Sequence, residues 1–80
     1  MYYTYVLLST KDSKLYIGWT DDLVNRFKEH NLGHVDSTKS RRPLKLIYYE
    51  ACCDKQKAII REKQLKTGYG RKYLNSRISY

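Results

Sequence analysis

The only two cysteines of this chain are neighbours, Cys52 and Cys53, and that adjacency limits what the chain can fold into more than any other feature. Adjacent cysteines reach disulfide geometry only by straining the peptide between them, and no second pair completes a zinc site of the usual spacing. They read as two small residues near a strand end in a reducing compartment. A chain of 80 residues buries only about 60% of its unfolded surface, so it is marginal without a staple. One close-packed core, in a single domain over residues 1–80, has to suffice. The 41% hydrophobic and 14% aromatic content is enough for that core and speaks against extended disorder.

No apolar run approaches the roughly 20 residues of a membrane span. The segment Met1-Tyr2-Tyr3-Thr4-Tyr5-Val6 lacks the basic start and small-residue cleavage site of a signal peptide. The expectation is a soluble, cytoplasmic protein with no membrane partner.

Tyr2 to Ser9 is rich in β-branched and aromatic residues and apolar on both alternating tracks, which predicts a strand. Thr10-Lys11-Asp12-Ser13 is turn chemistry, and Lys14 to Gly18 resumes strand character, closing a hairpin. Thr20 or Asp21 can cap a helix whose first turn carries Asp22, whose face includes Leu23 and Phe27, and which stops near Gly33. A polar loop over 33–43 ends at the only proline, Pro43, and Leu44 to Ala51 reads as a third strand. Asp54 caps a second helix that Gly68 terminates, and Arg71 to Ile78 forms a short last helix. The order β-β-α-β-α-α makes the first two strands antiparallel and lets the third join their sheet. Helices must then cover that sheet, giving a small layered α/β domain.

Charge is unevenly spread. Residues 1–54 hold eight basic and seven acidic groups, whereas residues 55–80 hold eight basic groups and one acid, Glu62. Such a segment gathers phosphates through counterion release. Tyr69, Tyr73 and Tyr80 interleave with Lys66, Arg71, Lys72 and Arg77, and aromatics beside cations stack on splayed bases. Lys63, Lys66, Arg71, Lys72 and Tyr73 are therefore the candidate nucleic-acid contacts.

Within this segment Glu62 shares a helical arc with Ala58, Ile59, Leu65 and Tyr69, while Ile60 points away. A carboxylate on an apolar face costs free energy unless it is paired or binds a metal. Either a divalent ion or neutralisation by Arg61, Lys63 or Lys66 accounts for it. In the hairpin, a loop of residues 10–13 sets Leu7 opposite Tyr16 and Tyr5 opposite Gly18. Tyr5 and Tyr16 are then diagonal neighbours on one sheet face, about 7 Å apart at Cα. Gly18 would allow close approach to Tyr5. Arg26 and His30, four residues apart, project from one helix face, where a guanidinium suits phosphate and an imidazole orients or passes a proton.

These residues form a recognisable order. Tyr3-Thr4-Tyr5, ten intervening residues and then Tyr16-Ile17-Gly18 resemble the GIY-YIG nuclease signature. The run from Trp19 through Arg26 to Asn31 resembles the helix that follows it, and Arg61-Glu62-Lys63-Gln64-Leu65-Lys66 resembles the family's glutamate helix. The likeness covers about Tyr2 to Leu74 and is closest to small stand-alone bacterial members, which are similar to the N-terminal domain of the UvrC-type excision-repair subunit.

The resemblance implies a three-stranded antiparallel sheet flanked by helices and a metal-dependent DNA endonuclease, structure-selective and repair-linked, with RNA left open as a substrate. By position it implies that Tyr5 takes the proton of the attacking water, Tyr16 orients water or phosphate, and Arg26 holds the scissile phosphate. It implies that His30 supports Tyr5, and that Glu62 is the sole protein ligand to one divalent ion, Mg²⁺ or Mn²⁺. It implies too that Asn75 corresponds to the family's late asparagine and joins the candidate nucleic-acid contacts. Two positions depart from the pattern: Tyr3 stands at the first glycine, and Trp19 stands where larger members carry a basic residue. Larger members draw specificity from appended domains, so this chain is expected to cleave weakly, to act on DNA shape alone, or to take target choice from a protein partner. Two rival readings are a non-catalytic nucleic-acid binding module on the same fold and a protein-interaction adaptor.

Overall fold

The computed structural model describes residues 1–78. Three strands, β1 (Tyr2–Ser9), β2 (Leu15–Thr20) and β3 (Leu44–Cys52), form one antiparallel sheet in the order β2-β1-β3. Three helices accompany them: α1 (Leu23–Leu32), α2 (Lys55–Leu65) and α3 (Gly68–Arg77). The element order and sheet type are those expected from the sequence. β1 is central because both its tracks are apolar, and a strand with two apolar faces needs cover on each side. On one face Tyr5, Leu7 and Leu44 pack with Leu23 and Phe27 of α1. On the other, Val6 and Ile17 pack with Leu65 of α2 and Leu74 of α3. The result is a three-layer α/β/α arrangement.

The hairpin register sets Tyr5 opposite Gly18 and Leu7 opposite Tyr16, so both tyrosines lie on the α1 face. A register irregularity between Val6 and Leu7 in the β1–β3 ladder lets Ile47 join the α2/α3 side of the core.

Local chemistry revises several boundaries. The α1 cap is Asp22, whose carboxylate accepts from Asn25 N, rather than Thr20 or Asp21; Thr20 instead receives the Asp22 amide on its own hydroxyl. Gly33, at φ 82°, closes α1 in the left-handed conformation that glycine adopts without penalty. Asp54 caps α2 as expected, accepting from Gln56 N and Lys57 N. Gly68, however, opens α3 instead of ending α2: Thr67 caps α3 by accepting from Gly70 N. Tyr69 therefore leaves the α2 stripe and is 77% exposed, while Gly70 lies so close to the Gln64 carbonyl and Leu65 Cα that a side chain there would collide with backbone. Tyr80 lies outside the described residues.

The 33–43 segment is more than a polar loop. Val35 and Thr38 are buried, residues Lys39–Arg41 form a 3₁₀ turn, and the Ser9 hydroxyl donates to the Arg41 carbonyl at 2.7 Å. At its two ends the Asn31 amide bridges the backbone of Leu44, donating at 3.0 Å and accepting at 2.8 Å. This segment forms a wall behind the α1 face of the sheet. Among the described residues no helix is long and apolar enough to cross a membrane.

Candidate active site

Tyr5 is the buried centre of the site, 1% exposed. It can lie this deep because β2 carries Gly18 opposite it; a Cβ there would stand 2.6 Å from the Tyr5 hydroxyl oxygen. The hydroxyl meets His30 Nε2 at 2.8 Å, and His30 Nδ1 meets Thr38 Oγ1 at 2.7 Å. Thr38 Oγ1 in turn donates to the Val35 carbonyl at 3.5 Å. A carbonyl only accepts. With the Val35 carbonyl at its end, the chain takes one direction. Tyr5 donates to Nε2, Nδ1–H donates to Thr38, and Thr38 donates to Val35. His30 is thus a neutral acceptor toward Tyr5, its tautomer assigned by this network.

Electrostatics agree with that assignment. Burial, helped by the nearby Arg26 charge, lowers the His30 pKa to about 4, so the imidazole is neutral near pH 7. Burial also raises the Tyr5 hydroxyl to about 12; Tyr16 and Glu62 push the same way, and Arg26 opposes them. Tyr16 adjoins both residues, its ring centroid 6.4 Å from that of Tyr5 and 5.0 Å from that of His30. Arg26 is half-exposed and pairs with Glu29 at 3.8 Å, a separation that holds it loosely.

Glu62 comes from the opposite helical layer, and its charge is felt at the Tyr5 hydroxyl. Its side chain is 17% exposed and meets Lys66 Nζ at 3.3 Å. Of the three cations suggested to neutralise it, Lys66 is the one in contact. Arg61 instead makes a forked pair with Glu50, 3.0 Å from Nε to Oε1 and 3.0 Å from Nη2 to Oε2. Burial raises the Glu50 carboxyl, but the hydrogen bonds from Arg61 and Tyr48 outweigh it and leave the pKa below the ordinary value.

Among the described residues no three His, Cys, Asp or Glu side chains cluster into a metal cage. Glu62 nevertheless fits a divalent ion that keeps most of its water. It is a hard oxygen donor whose charge reaches the Tyr5 phenol, and an exposed i,i+4 lysine is exchanged at a cost of only about 0.3–0.5 kcal/mol.

The expected nucleic-acid residues divide into three groups. Lys66, Arg71 and Asn75 line a cleft of about 800 Å³ together with Tyr16. Lys63 and Lys72 are solvent-exposed and do not line it. Tyr73 lies elsewhere: its hydroxyl shares a 3.1 Å hydrogen bond with Tyr48, and its ring lies under Arg61 and Arg77 at 4.6 and 5.3 Å. The chain's own cations thus stack on that ring.

Lys14 and Arg41 complete the cleft, and no sequence signal singled them out, because the first 54 residues are nearly neutral in sum. Thr38 was equally silent, one hydroxyl in a polar segment. The two cysteines are free, Cys52 half-buried and Cys53 exposed.

Residues 1–75 match the GIY-YIG catalytic domain family. The chain belongs to the GIY-YIG family. Its relatives include a UPF0213 protein of Clostridium perfringens, 43% identical over 67 residues that span 82% of this chain and 71% of that protein. A UPF0213 protein of Lactiplantibacillus plantarum is 46% identical over 68 residues, 81% of this chain and 66% of the other. The solution structure of a UPF0213 protein from Bacillus halodurans superimposes with a TM-score of 0.57 at 31% identity, covering 95% of this chain and 84% of that one. This GIY-YIG domain is therefore similar to small UPF0213 proteins, and it carries the fold of a nuclease superfamily.

Proposed function

We propose that this GIY-YIG domain is a divalent-metal-dependent endonuclease that hydrolyses DNA phosphodiester bonds, selects targets by nucleic-acid structure and serves repair. The observation that carries the reading is the convergence of Tyr5, Tyr16, Arg26 and His30 from three elements on one centre that also feels the Glu62 charge. Beside it runs a cleft with four cations, Lys14, Arg41, Lys66 and Arg71, which suits a phosphate backbone.

Bound at Glu62, Mg²⁺ or Mn²⁺ would supply charge neutralisation and an acidified water. Arg26 holds the scissile phosphate and offsets the charge that builds on it, and Tyr16 orients water or phosphate. A phenol whose pKa is about 12 is a poor free base near pH 7. Tyr5 therefore acts as a relay, its oxygen receiving the water proton while its own proton passes to His30 Nε2. The imidazolium formed is offset by the charge of the phosphate. The setting is the cytoplasm, where free Cys52 and Cys53 stay reduced, and a protein partner supplies target choice beyond structure.

The test is a panel of labelled duplex, nicked, forked, flap and single-stranded DNA with Mg²⁺ or Mn²⁺, wild type beside Glu62→Ala, with a chelator control. Cleavage by wild type alone, stopped by the chelator, is expected. Glu62→Ala should bind DNA as well or more tightly, since it removes the one acid of the basic segment. One observation favours the binding-module reading: Lys66 already engages the Glu62 carboxylate at 3.3 Å. Salt-sensitive binding by both proteins with no cleavage by either would establish that reading instead.

A further inference from the structure

The two sides of this centre differ in kind. Helix α2 runs antiparallel along β2. Lys55 at its start stands over Trp19, 5.5 Å from Nζ to the ring centroid, while Leu65 near its end meets Leu15 and Ile17. Glu62 lies between. The cleft toward the start of β2 is lined by four cations, of which Arg41 pairs with Asp12 at 3.0 Å and Lys66 with Glu62 at 3.3 Å, both acids standing outside the lining.

The cavity toward the end of β2, about 510 Å³, adjoins Arg26 and is lined by Trp19, Tyr2 and Asn25, with three carboxylates, Asp21, Asp22 and Glu29, against Arg26 and Lys55. A run of phosphates is unwelcome there. The cavity is of the size that holds small ligands, roughly 300–1,000 Å³, and combines aromatic walls with a few fixed polar groups. Asp22 is occupied as the α1 cap, and Glu29 holds the Asn25 amide at 2.7 Å. Asp21 makes no hydrogen bond or ion pair, and the Trp19 indole N–H has no hydrogen-bond partner, among the described residues. Lys55, the cation over the indole, is an exposed side chain on a flexible stem that can swing toward a phosphate.

We propose that this cavity takes one unstacked nucleobase of the strand being cut, stacked on Trp19 in place of Lys55, with its amino edge toward Asp21 and Asn25. Aromatic stacking accepts any base, and carboxylate and amide acceptors suit exocyclic amino groups. The inference rests on the proposed function and names its substrate class. That class is DNA offering an unpaired nucleotide beside the scissile phosphate, such as a flap or single-stranded end; a base inside intact duplex would first have to be unstacked.

Binding is read on Glu62→Ala protein without metal, so that catalysis plays no part. Short single strands carry 2-aminopurine, whose emission falls on stacking, at successive positions, and matched strands carry an abasic site instead. We expect quenching at one position, lost in Trp19→Ala and kept in Trp19→Phe, with Trp19→Ala about tenfold weaker for the base-bearing strand and little changed for the abasic one. Asp21→Ala, at an exposed position outside the hydrogen-bond network, gives an independent reading should Trp19→Ala fold poorly. It is expected to weaken the base-bearing strand relative to the abasic one. Equal tightening of both, the result of simply deleting a negative charge, overturns the pocket. Salt-sensitive binding without Trp19-dependent quenching overturns the pocket and leaves the nuclease reading standing. Absence of any oligonucleotide binding overturns both.

Discussion

Gly18→Ala isolates the geometry on which the site depends. A Cβ at residue 18 would stand 2.6 Å from the Tyr5 oxygen and 2.7 Å from Cζ, against about 3.5–4.0 Å for ordinary contact, so the ring must retreat by roughly 1 Å. It has nowhere free to go, being 1% exposed and fastened to His30 at 2.8 Å. Overpacking costs about 1–3 kcal/mol and the lost hydrogen bond about 1 kcal/mol, together roughly 2–4 kcal/mol. Strand propensity alone has the opposite sign, since alanine is favoured over glycine by about 0.5–1 kcal/mol. Urea unfolding measures the first effect. Cleavage should fall about 100-fold from a displacement of this size. In a Tyr5→Phe background the nearest atom is gone and no His30 bond remains to lose, so Gly18→Ala should cost about 1 kcal/mol less. A Gly18→Ala protein of unchanged stability and full activity would refute the argument.

Further predictions concern pH, helix packing and turnover. His30 is depressed to about 4 from an ordinary 6.5, so the unfolded chain binds the extra proton between those values. Its neutral burial contributes about 3 kcal/mol above pH 6.5, lost as pH falls toward 4. Unfolding free energy followed from pH 7 to 4 should decline in wild type and stay flatter in His30→Gln. Gly70→Ala drives a methyl into the Gln64–Leu65 backbone and should destabilise by about 2 kcal/mol, a Tm lower by roughly 10 °C; helix propensity alone would raise Tm, and a rise would refute the packing. Arg26→Ala should reduce single-turnover cleavage more than DNA affinity, and the reverse result would demote Arg26 to a general phosphate contact. Tyr5→Phe should fold and bind DNA with little cleavage; full activity would end the relay.

Much of the architecture was legible because it is local. Two apolar tracks on β1 require cover on both faces, a four-residue turn sets the register that brings Tyr5 beside Tyr16 and opposite Gly18, and i,i+4 spacing aligns Arg26 with His30. The ordered spacing of the signature from Tyr3 to Glu62 was equally readable. Helix ends were harder. Gly68 reads as a stop from its type, yet the Thr67 cap and the contact of Gly70 on Leu65 make it a start.

What the chain alone determined is therefore what depends on neighbours in sequence: element types, strand register, helix faces, the acid set among bases. The tertiary structure decided every long-range polar partnership. It placed Thr38 behind His30, brought Lys14 and Arg41 to the cleft that Lys66 and Arg71 share, and gave Glu50 rather than Glu62 to Arg61. It also turned Tyr73 onto Tyr48 and set Trp19 beside an acidic cavity next to Arg26. A single hydroxyl, lysine or ring carries no periodicity to read. Its role is fixed only when packing removes water around it and leaves one partner within hydrogen-bonding reach.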